Sequence, residues 1–175
     1  MSEDSLGYIL TDDKLTSNNV WYVTSSNELL YGTAKREAEK RYREDKMYMQ
    51  IAYTVAERSA CERKKVGAVI VRDGNILSYG WNGMPRGYDN VCEIDGATNP
   101  LVIHAERNAL NKLRRSTETS EDAVLYVTMA PCVHCAIEAI DAGIRTVYYS
   151  EIYRSEDGLD VLRKNGVDVR HIDHN

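Results

Sequence analysis

Two short motifs constrain how this 175-residue chain can fold more than any other feature of it. The first, "IHAERNAL", places His104 two residues before Glu106, and the second, "APCVHCAIEAI", places Cys132 three residues before Cys135. Each motif opens a predicted helix, so the four side chains can meet only where two helix N-termini converge. Parallel strands supply that geometry, because the helices that follow them begin at the same edge of the sheet.

The spacing of His104 and Glu106 fits the end of a helix and not its interior. Two residues correspond to about 200° around an α-helix, which would direct the two side chains to opposite sides. If His104 opens the helix, both side chains can reach a ligand beyond the helix end. Pro131 is expected at the first position of the second helix, where its missing N–H costs nothing. Both sulfurs then lie near a helix N-terminus, which favours thiolate.

These side chains predict a catalytic zinc site. Zn²⁺ prefers Cys and His ligands, and a catalytic site keeps three protein ligands and leaves the fourth position to water. We expect one Zn²⁺ held by His104, Cys132 and Cys135, where it lowers the pKa of its water. Glu106 is the expected catalytic residue that takes and delivers the proton. His134 lies inside the Cys pair but on another helix face, and is interpreted as structural.

Other interpretations of the cysteines stay open. A lone C-x-x-C is often half of a structural zinc site, but Cys61 and Cys92 are isolated and form no second C-x-x-C. A redox-active pair would leave His104 and Glu106 without a role. The four cysteines could also form two disulfides, which are less expected without a secretory signal.

The rest of the chain predicts a mixed α/β domain at residues 34–175, preceded by an N-terminal extension, residues 1–33. Two short extended pieces are expected in the extension, around the turn "TSSN". A helix is expected from about Ala34, and a hairpin at Asp73–Gly74. Alternating helices and strands then predict a three-layer α/β/α arrangement with a five-stranded mixed sheet. The later elements are helices at about 104–115, 131–142 and 156–165 and strands at about 123–128, 146–150 and 167–172.

Composition narrows the expected surroundings and partners. The net charge of −5 and the pI of 5.4 argue against a broad nucleic-acid footprint. No stretch approaches the roughly 20 apolar residues of a membrane span, and the start "MSEDSLGYILTDD" has no long apolar run. We expect a soluble, cytoplasmic protein with neither a membrane nor a stable nucleic-acid partner.

At its motifs the chain resembles the cytidine deaminase superfamily, and more closely the deoxycytidylate (dCMP) deaminases. The resemblance covers roughly residues 45–172 and is carried by "VGAVIV", "GNILSYGWNGMPRG", "HAERNAL" and "APCVHCAIEAIDAGIRTVYYSEIY". It implies a cytidine deaminase-like fold and a hydrolase acting on C–N bonds of cyclic amidines. The implied reaction converts dCMP to dUMP and ammonia and supplies dUMP for dTMP synthesis.

The resemblance also implies substrate contacts beyond the zinc. Asn82 is expected to contact the sugar or phosphate region, and Ala105 and Tyr153 to bind substrate. Arg115 falls where a family member has a basic residue near the mouth of the site. A 5′-monophosphate needs a cation or several N–H donors, which supports this requirement for charge.

Regulation and assembly are implied in the same way. The family is activated by dCTP, inhibited by dTTP and forms homo-hexamers. The backbone N–H groups of a Gly-rich loop suit phosphates, so "GWNGMPRG" is predicted to contribute to an effector site, with Mg²⁺ accompanying the nucleotide. The residues assigned to this site are Gly80, Trp81, Asn82, Gly83, Met84 and Lys64.

Three points remain open at this level. Some family members hold a second zinc with Cys and His ligands; Cys61 and Cys92 lie near those positions, but no His falls between Cys92 and His104. A nucleic-acid or tRNA nucleobase deaminase of the same superfamily is an alternative function. A non-catalytic nucleotide-sensing module is another.

Overall fold

The computed structural model describes residues 28–152 and 155–174, with side chains from residue 36 onward. Two compact units are distinguished, Met1–Glu44 and Asp45–Asn175. The described part of the first unit is helical, and the second contains the sheet and three further helices. Among the described residues, no helix has both the length and the apolar character needed to cross a membrane.

Four helices and seven strands make up the described part of the chain. In chain order they are α1 (Glu28–Ala56), β1 (Gly67–Arg72), β2 (Asn75–Trp81), β3 (Glu93–Ile94), β4 (Ala97–Thr98), α2 (Ala105–Leu113), β5 (Val124–Met129), α3 (Val133–Asp141), β6 (Thr146–Glu151), α4 (Asp157–Lys164) and β7 (Asp168–His171).

The first helix begins earlier than its sequence predicts. We expected "NELLYG" to be extended and the helix to begin near Ala34. The helix instead starts at Glu28 and runs through Gly32. The strong helix formers that follow Gly32 explain this, since extending an existing helix is far easier than nucleating one. The pieces expected before Glu28 lie outside the described residues, so the domain boundary at 33/34 stays a prediction.

The main sheet has five strands in the order β2-β1-β5-β6-β7. β1 is antiparallel to both β2 and β5, whereas β5, β6 and β7 are parallel. The β1–β2 hairpin turns at Asp73 and Gly74, which both have positive φ, as its sequence predicts. β2 and β5 therefore run in the same direction. Since α2 follows β2 and α3 follows β5, both helices begin at one edge of the sheet.

Helices cover both faces of the sheet. On β1, Val69 and Val71 join the apolar cluster formed with α1, whereas Ala68 and Ile70 join the cluster formed with α2, α3 and α4. This alternation is the period of two that a strand buried on both faces requires. The predicted three-layer α/β/α fold with a mixed five-stranded sheet is confirmed.

A second, two-stranded sheet was missed. β3 and β4 pair antiparallel across a turn at Asp95 and Gly96, which both have positive φ. The Asp-Gly turn signal is the same as in the first hairpin. The strands have only two residues each, too few to show an alternating pattern.

Gly80 lets α2 approach the sheet closely. A Cβ atom at this position would lie 2.3 Å from the Ala105 carbonyl oxygen and 2.4 Å from the Ala109 nitrogen. On the same strand, the Ser78 hydroxyl donates to the Ala109 carbonyl at 2.7 Å. The position of α2, and of the residue at its N-terminus, therefore depends on backbone contact with β2.

We expect Gly80→Ala to lower the free energy of unfolding by about 1–3 kcal/mol, the usual cost of overpacking a tight contact. Gly83→Ala is the matched control, because its nearest atom would be 4.0 Å away and its φ is not left-handed. We expect the control to change stability by less than about 0.5 kcal/mol. Urea denaturation of both variants measures the difference, and equal losses would contradict this account of Gly80.

A buried carboxylate lies on the opposite face of the sheet. Asp45 accepts hydrogen bonds from the hydroxyls of Tyr126 at 2.6 Å and Tyr148 at 2.7 Å. The two rings stack with their centroids 4.9 Å apart, and Arg170 Nη1 donates to the Tyr148 hydroxyl at 3.1 Å. Burial first, and then the neighbouring Asp45, raise the pKa of both phenols well above the ordinary value. The folded chain therefore holds these two protons more tightly than the unfolded chain.

The free energy of unfolding should fall as the pH rises above about 10, because the unfolded chain then binds fewer protons than the folded one. Tyr126→Phe removes one of the responsible phenols. We expect this variant to be less stable at pH 7 and to show a shallower fall in stability above pH 10. Urea denaturation between pH 7 and 11 measures how steeply the free energy of unfolding falls with pH in the wild type and in the variant. Identical slopes would show that Tyr126 does not contribute to the pH dependence.

Candidate metal centre

Two helix N-termini meet at the sheet edge where β2 and β5 end. His104 is the N-cap of α2, with φ −69° and ψ 156°, and Cys132 is the N-cap of α3, with φ −71° and ψ 167°. Neither side chain makes a capping hydrogen bond, so both can face the space between the helices. The expectation for Pro131 is wrong: α3 begins at Val133, because Cys132 keeps an extended backbone, and Pro131 lies just before the cap.

His104, Cys132 and Cys135 form a compact cluster. His104 Nδ1 lies 3.6 Å from Cys132 Sγ and 3.4 Å from Cys135 Sγ, and the three atoms lie within 4.8 Å of one another. Neither of these cysteines is in a disulfide. Ligands bound tetrahedrally to Zn²⁺ at about 2.0–2.3 Å are about 3.6 Å apart. Donor types and separations therefore both fit zinc.

The hydrogen bonds in this cluster favour ionisation of Cys132. A hydrogen bond from the Cys135 thiol lowers the pKa of Cys132 to about 3, with His104 contributing to the shift. The same bond and burial raise the pKa of Cys135, and contact with Cys132 raises the pKa of His104. Cys132 is therefore a thiolate at neutral pH, the form that binds a metal ion.

Glu106 lies in the first turn of α2, beside the cluster. Its residue surface is only 4% exposed, and it lines the same cavity as His104 and Cys132. Burial is the main cause that raises the pKa of its carboxyl. A carboxyl with a raised pKa accepts a proton more readily than a solvated one, which suits a general acid–base.

A cavity of about 370 Å³ lies over the cluster, a size typical of small-molecule sites. Several separate segments supply its walls: the loop before β1, the end of β2, the segment that leads to α2, and the turn between β5 and α3. The lining residues are Cys61, Arg63, Lys64, Val66, Asn82, Cys92, Glu93, Thr98, Val102, His104, Ala105, Glu106, Met129, Ala130, Pro131, Cys132 and Ser155.

Two of the predicted substrate residues, Asn82 and Ala105, line this cavity. The amide group of Asn82 also has structural bonds: its Oδ1 accepts from the Val66 N–H at 2.8 Å and its Nδ2 donates to the Lys64 carbonyl at 2.9 Å. Asn82 thereby holds the segment that enters β1. Tyr153, also predicted to bind substrate, lies outside the described residues.

The structure does not bring Arg115 to the cavity. It is exposed and follows the C-terminal end of α2, whereas the cluster lies at the N-terminus of that helix. At about 1.5 Å per residue, the helix separates its two ends by more than about 10 Å. The expectation for Arg115 came from the resemblance, and within this chain the residue lies at the end of α2 remote from the cluster.

The predicted effector site in "GWNGMPRG" stays a prediction, and part of that segment is used within the fold. The N–H groups of Asn82 and Gly83 both donate at 3.1 Å, to the carbonyls of Val66 and Ile103. Gly80 belongs to a strand packed on α2, and Met84 packs against an apolar cluster. Trp81 lies beside cations, with Lys112 Nζ 4.1 Å from its ring centroid. Lys64 lines the cavity and forms an ion pair with Glu151 at 3.3 Å.

The sequence did not predict two contacts near the cavity, or that Arg63 would belong to its lining. Cys61 and Cys92 form a disulfide with a Cα–Cα distance of 5.2 Å, so their thiols are unavailable for a second zinc. Arg63 lines the cavity. Arg107 on α2 donates through Nε to both carboxylate oxygens of Glu138 on α3, at 2.8 and 3.1 Å, and ties the two helices together. Each contact joins segments that are distant in sequence, so no local sequence pattern predicts it.

Comparison with known proteins places this site in a family. The sequence model of the "Cytidine and deoxycytidylate deaminase zinc-binding region" matches residues 42–151. The chain is 35% identical over 137 residues to the deoxycytidylate deaminase of Saccharomyces cerevisiae, covering 72% of this chain and 44% of that protein. It is 32% identical over 168 residues to the deoxycytidylate deaminase of Enterobacteria phage T4, covering 71% of this chain and 87% of that one.

A solved structure gives the same result. The dCMP deaminase from the cyanophage S-TIM5, in complex with dCMP and dUMP, matches with a TM-score of 0.70 and 44% identity over 72% of this chain and 94% of that chain. The fold and site are those of the zinc-binding deaminases of pyrimidine nucleosides and nucleotides. The chain belongs to the cytidine and deoxycytidylate deaminase family. The predicted resemblance and enzyme class, a hydrolase of C–N bonds, are confirmed.

Proposed function

We propose that this protein catalyses the zinc-dependent hydrolytic deamination of dCMP to dUMP and ammonia. The observation that carries the proposal is the cluster of His104, Cys132 and Cys135 beside the buried Glu106, in a cavity large enough for a small ligand. The names of the relatives and the dCMP and dUMP bound to the cyanophage enzyme support this choice of substrate.

The three-residue cluster would hold one Zn²⁺, which when bound lowers the pKa of a water and so supplies the nucleophile. Deamination exchanges the amino group on C4 of cytosine for oxygen. Ring atom N3 gains a proton, and the amine leaves as ammonia. Glu106 can carry the two protons of the water in turn on a carboxylate oxygen, the first to N3, where it stays, and the second to the amine, which leaves as ammonia. Its burial limits proton exchange with bulk water.

Cationic residues in the cavity wall favour a nucleotide as the substrate over a free nucleoside. Arg63 and Lys64 both line the cavity. Arg63 Nη2 donates to Thr98 Oγ1 at 2.8 Å and Nη1 donates to the Gly96 carbonyl at 2.5 Å. These contacts orient the Arg63 guanidinium at the cavity wall, and a guanidinium is a cation whose planar set of N–H groups suits a phosphate.

Glu106→Gln tests the reaction. We expect kcat for dCMP to fall by about 10²–10⁴-fold, because the general acid–base is lost. Zinc per chain, measured by atomic emission, should stay unchanged in this variant and fall in His104→Ala. The assay is ammonia release from dCMP, CMP, deoxycytidine, dCTP and a short single-stranded DNA. Preference for the DNA would replace this proposal with nucleic-acid deamination, and no turnover by zinc-loaded protein would favour a nucleotide-sensing module.

Arg63→Gln tests the phosphate contact. We expect KM for dCMP to rise about tenfold, the effect of losing one charge-assisted hydrogen bond of about 1.4 kcal/mol. KM for deoxycytidine, which has no phosphate, should change little. Lys65→Gln is the control, since Lys65 is exposed and lies outside the cavity lining. Equal effects of Arg63→Gln on both substrates would show that Arg63 does not contact the phosphate.

Activation by dCTP, inhibition by dTTP and assembly into a homo-hexamer extend the same proposal. They come from the resemblance alone. The N–H groups of Asn82 and Gly83 bond within the chain, so these two do not serve an effector phosphate. Nothing among the described residues supports Mg²⁺. The ammonia assay repeated with each effector tests the regulation.

A further inference from the structure

The Cys61–Cys92 disulfide forms part of the cavity wall. Both cysteines line the cavity, and they are only 2% and 1% exposed. The bond joins the segment that precedes β1 to the long segment between β2 and α2, across a sequence separation of 31. Val102 and Met84 pack around the sulfurs in a small apolar cluster. The crosslink is therefore a component of the wall that shapes the cavity.

The segment between β2 and α2 has few other restraints. Its two ends meet at an isolated bridge between Gly83 and Ile103. Its middle contains only the two-residue strands β3 and β4. At its start, Asn82 bonds Val66 and Lys64 of the loop before β1. Farther along the segment, Arg63 of that loop contacts it: the Arg63 N–H donates to Glu93 Oε1 at 3.3 Å, and the guanidinium donates to Thr98 and Gly96.

Arg63 and the disulfide thus hold the same two segments together. Arg63 is two residues from Cys61, and Glu93 follows Cys92 directly. Without the S–S bond, this part of the wall would depend on a few individually weak hydrogen bonds and on the small apolar cluster. The segment would gain conformations in which Arg63 loses its partners and its orientation.

We propose that the Cys61–Cys92 disulfide is a redox-sensitive restraint that controls substrate affinity. This inference rests on the proposed function. In the oxidised protein the wall is preorganised for the nucleotide. In the reduced protein only a fraction of molecules has the competent wall, and the apparent dissociation constant rises by the inverse of that fraction.

The chemistry is a thiol–disulfide exchange with a dithiol reductant. A thiolate of the dithiol attacks one sulfur of the Cys61–Cys92 bond, and the mixed disulfide is resolved by the second thiol of the reductant. Cys61 and Cys92 gain two electrons and two protons, and the dithiol becomes a disulfide. Since reduction weakens substrate binding, bound substrate must make the disulfide harder to reduce by the same factor.

The test uses the full chain, loaded with zinc and purified without reductant. Alkylation followed by peptide mass analysis should find Cys61 and Cys92 linked. After treatment with dithiothreitol in excess zinc, we expect KM for dCMP to rise about fivefold and more than kcat falls, as a competent fraction of about one fifth would produce. Reoxidation should restore KM, and dCMP should slow the reduction. Zinc content, measured in parallel, excludes an effect on Cys132 and Cys135.

The double variant Cys61→Ser/Cys92→Ser is the matched control. It should have the raised KM without reductant and should not respond to dithiothreitol. A response equal to that of the wild type would overturn the proposal, because it would place the sensitive group elsewhere. So would free thiols at Cys61 and Cys92 in the unreduced protein, or an unchanged KM after complete reduction.

A second measurement does not depend on deaminase activity. Arg86 is exposed within the segment that the disulfide restrains. We expect trypsin to cleave after Arg86 several times faster in the reduced wild type and in the double variant than in the oxidised wild type. If the protein failed to deaminate any substrate but showed this difference, the proposed function would fail and the restraint would stand. Equal cleavage rates would overturn the restraint itself.

Discussion

The close packing of α2 on strand β2 is the contact on which the site depends. The helix backbone touches the strand at Gly80, and this contact sets where the helix begins. His104 and Glu106 are attached to that first turn, whereas Cys132 and Cys135 belong to a different helix on a different strand. A metal site made of two helix ends tolerates little relative movement, because its ligand atoms must stay within a few ångströms. The Arg107–Glu138 ion pair adds a direct connection between the two helices.

Local patterns predicted the elements and the metal cluster well. The two-residue spacing of His104 and Glu106 requires a helix end, and His104 is indeed the cap of α2. The Asp-Gly turn and the alternating helices and strands sufficed for the mixed sheet. Local patterns do not show contacts between segments that are distant in sequence. The pairing of Cys61 with Cys92 and the structural bonds of the Asn82 amide are of this kind. Arg115 was expected from the resemblance and lies past the end of α2 that is remote from the cluster.

The two faces of the sheet pack against different helices: one face supports the helices of the site, and the other packs against α1. On β5, Leu125 and Val127 join the apolar cluster beneath the helices of the site, whereas Tyr126 points to the buried Asp45 of α1. A buried carboxylate bonded by two hydroxyls is satisfied in only one register of helix and strand, so this network specifies a unique packing. The same strand then ends at Met129, in the cavity wall. β5 therefore takes part in the buried network through Tyr126 and in the cavity wall through Met129.

Lys112 has a consequence for association between copies of the chain. β2 is a terminal strand of the main sheet, with Ile76 and Tyr79 exposed along it. Such a strand is a template for another strand to pair with. Lys112 Nζ reaches this edge, donates to the Tyr79 carbonyl at 2.9 Å and lies over the Trp81 ring. A charged group thus occupies an acceptor that an incoming strand would need, and protects the sheet against edge-to-edge aggregation.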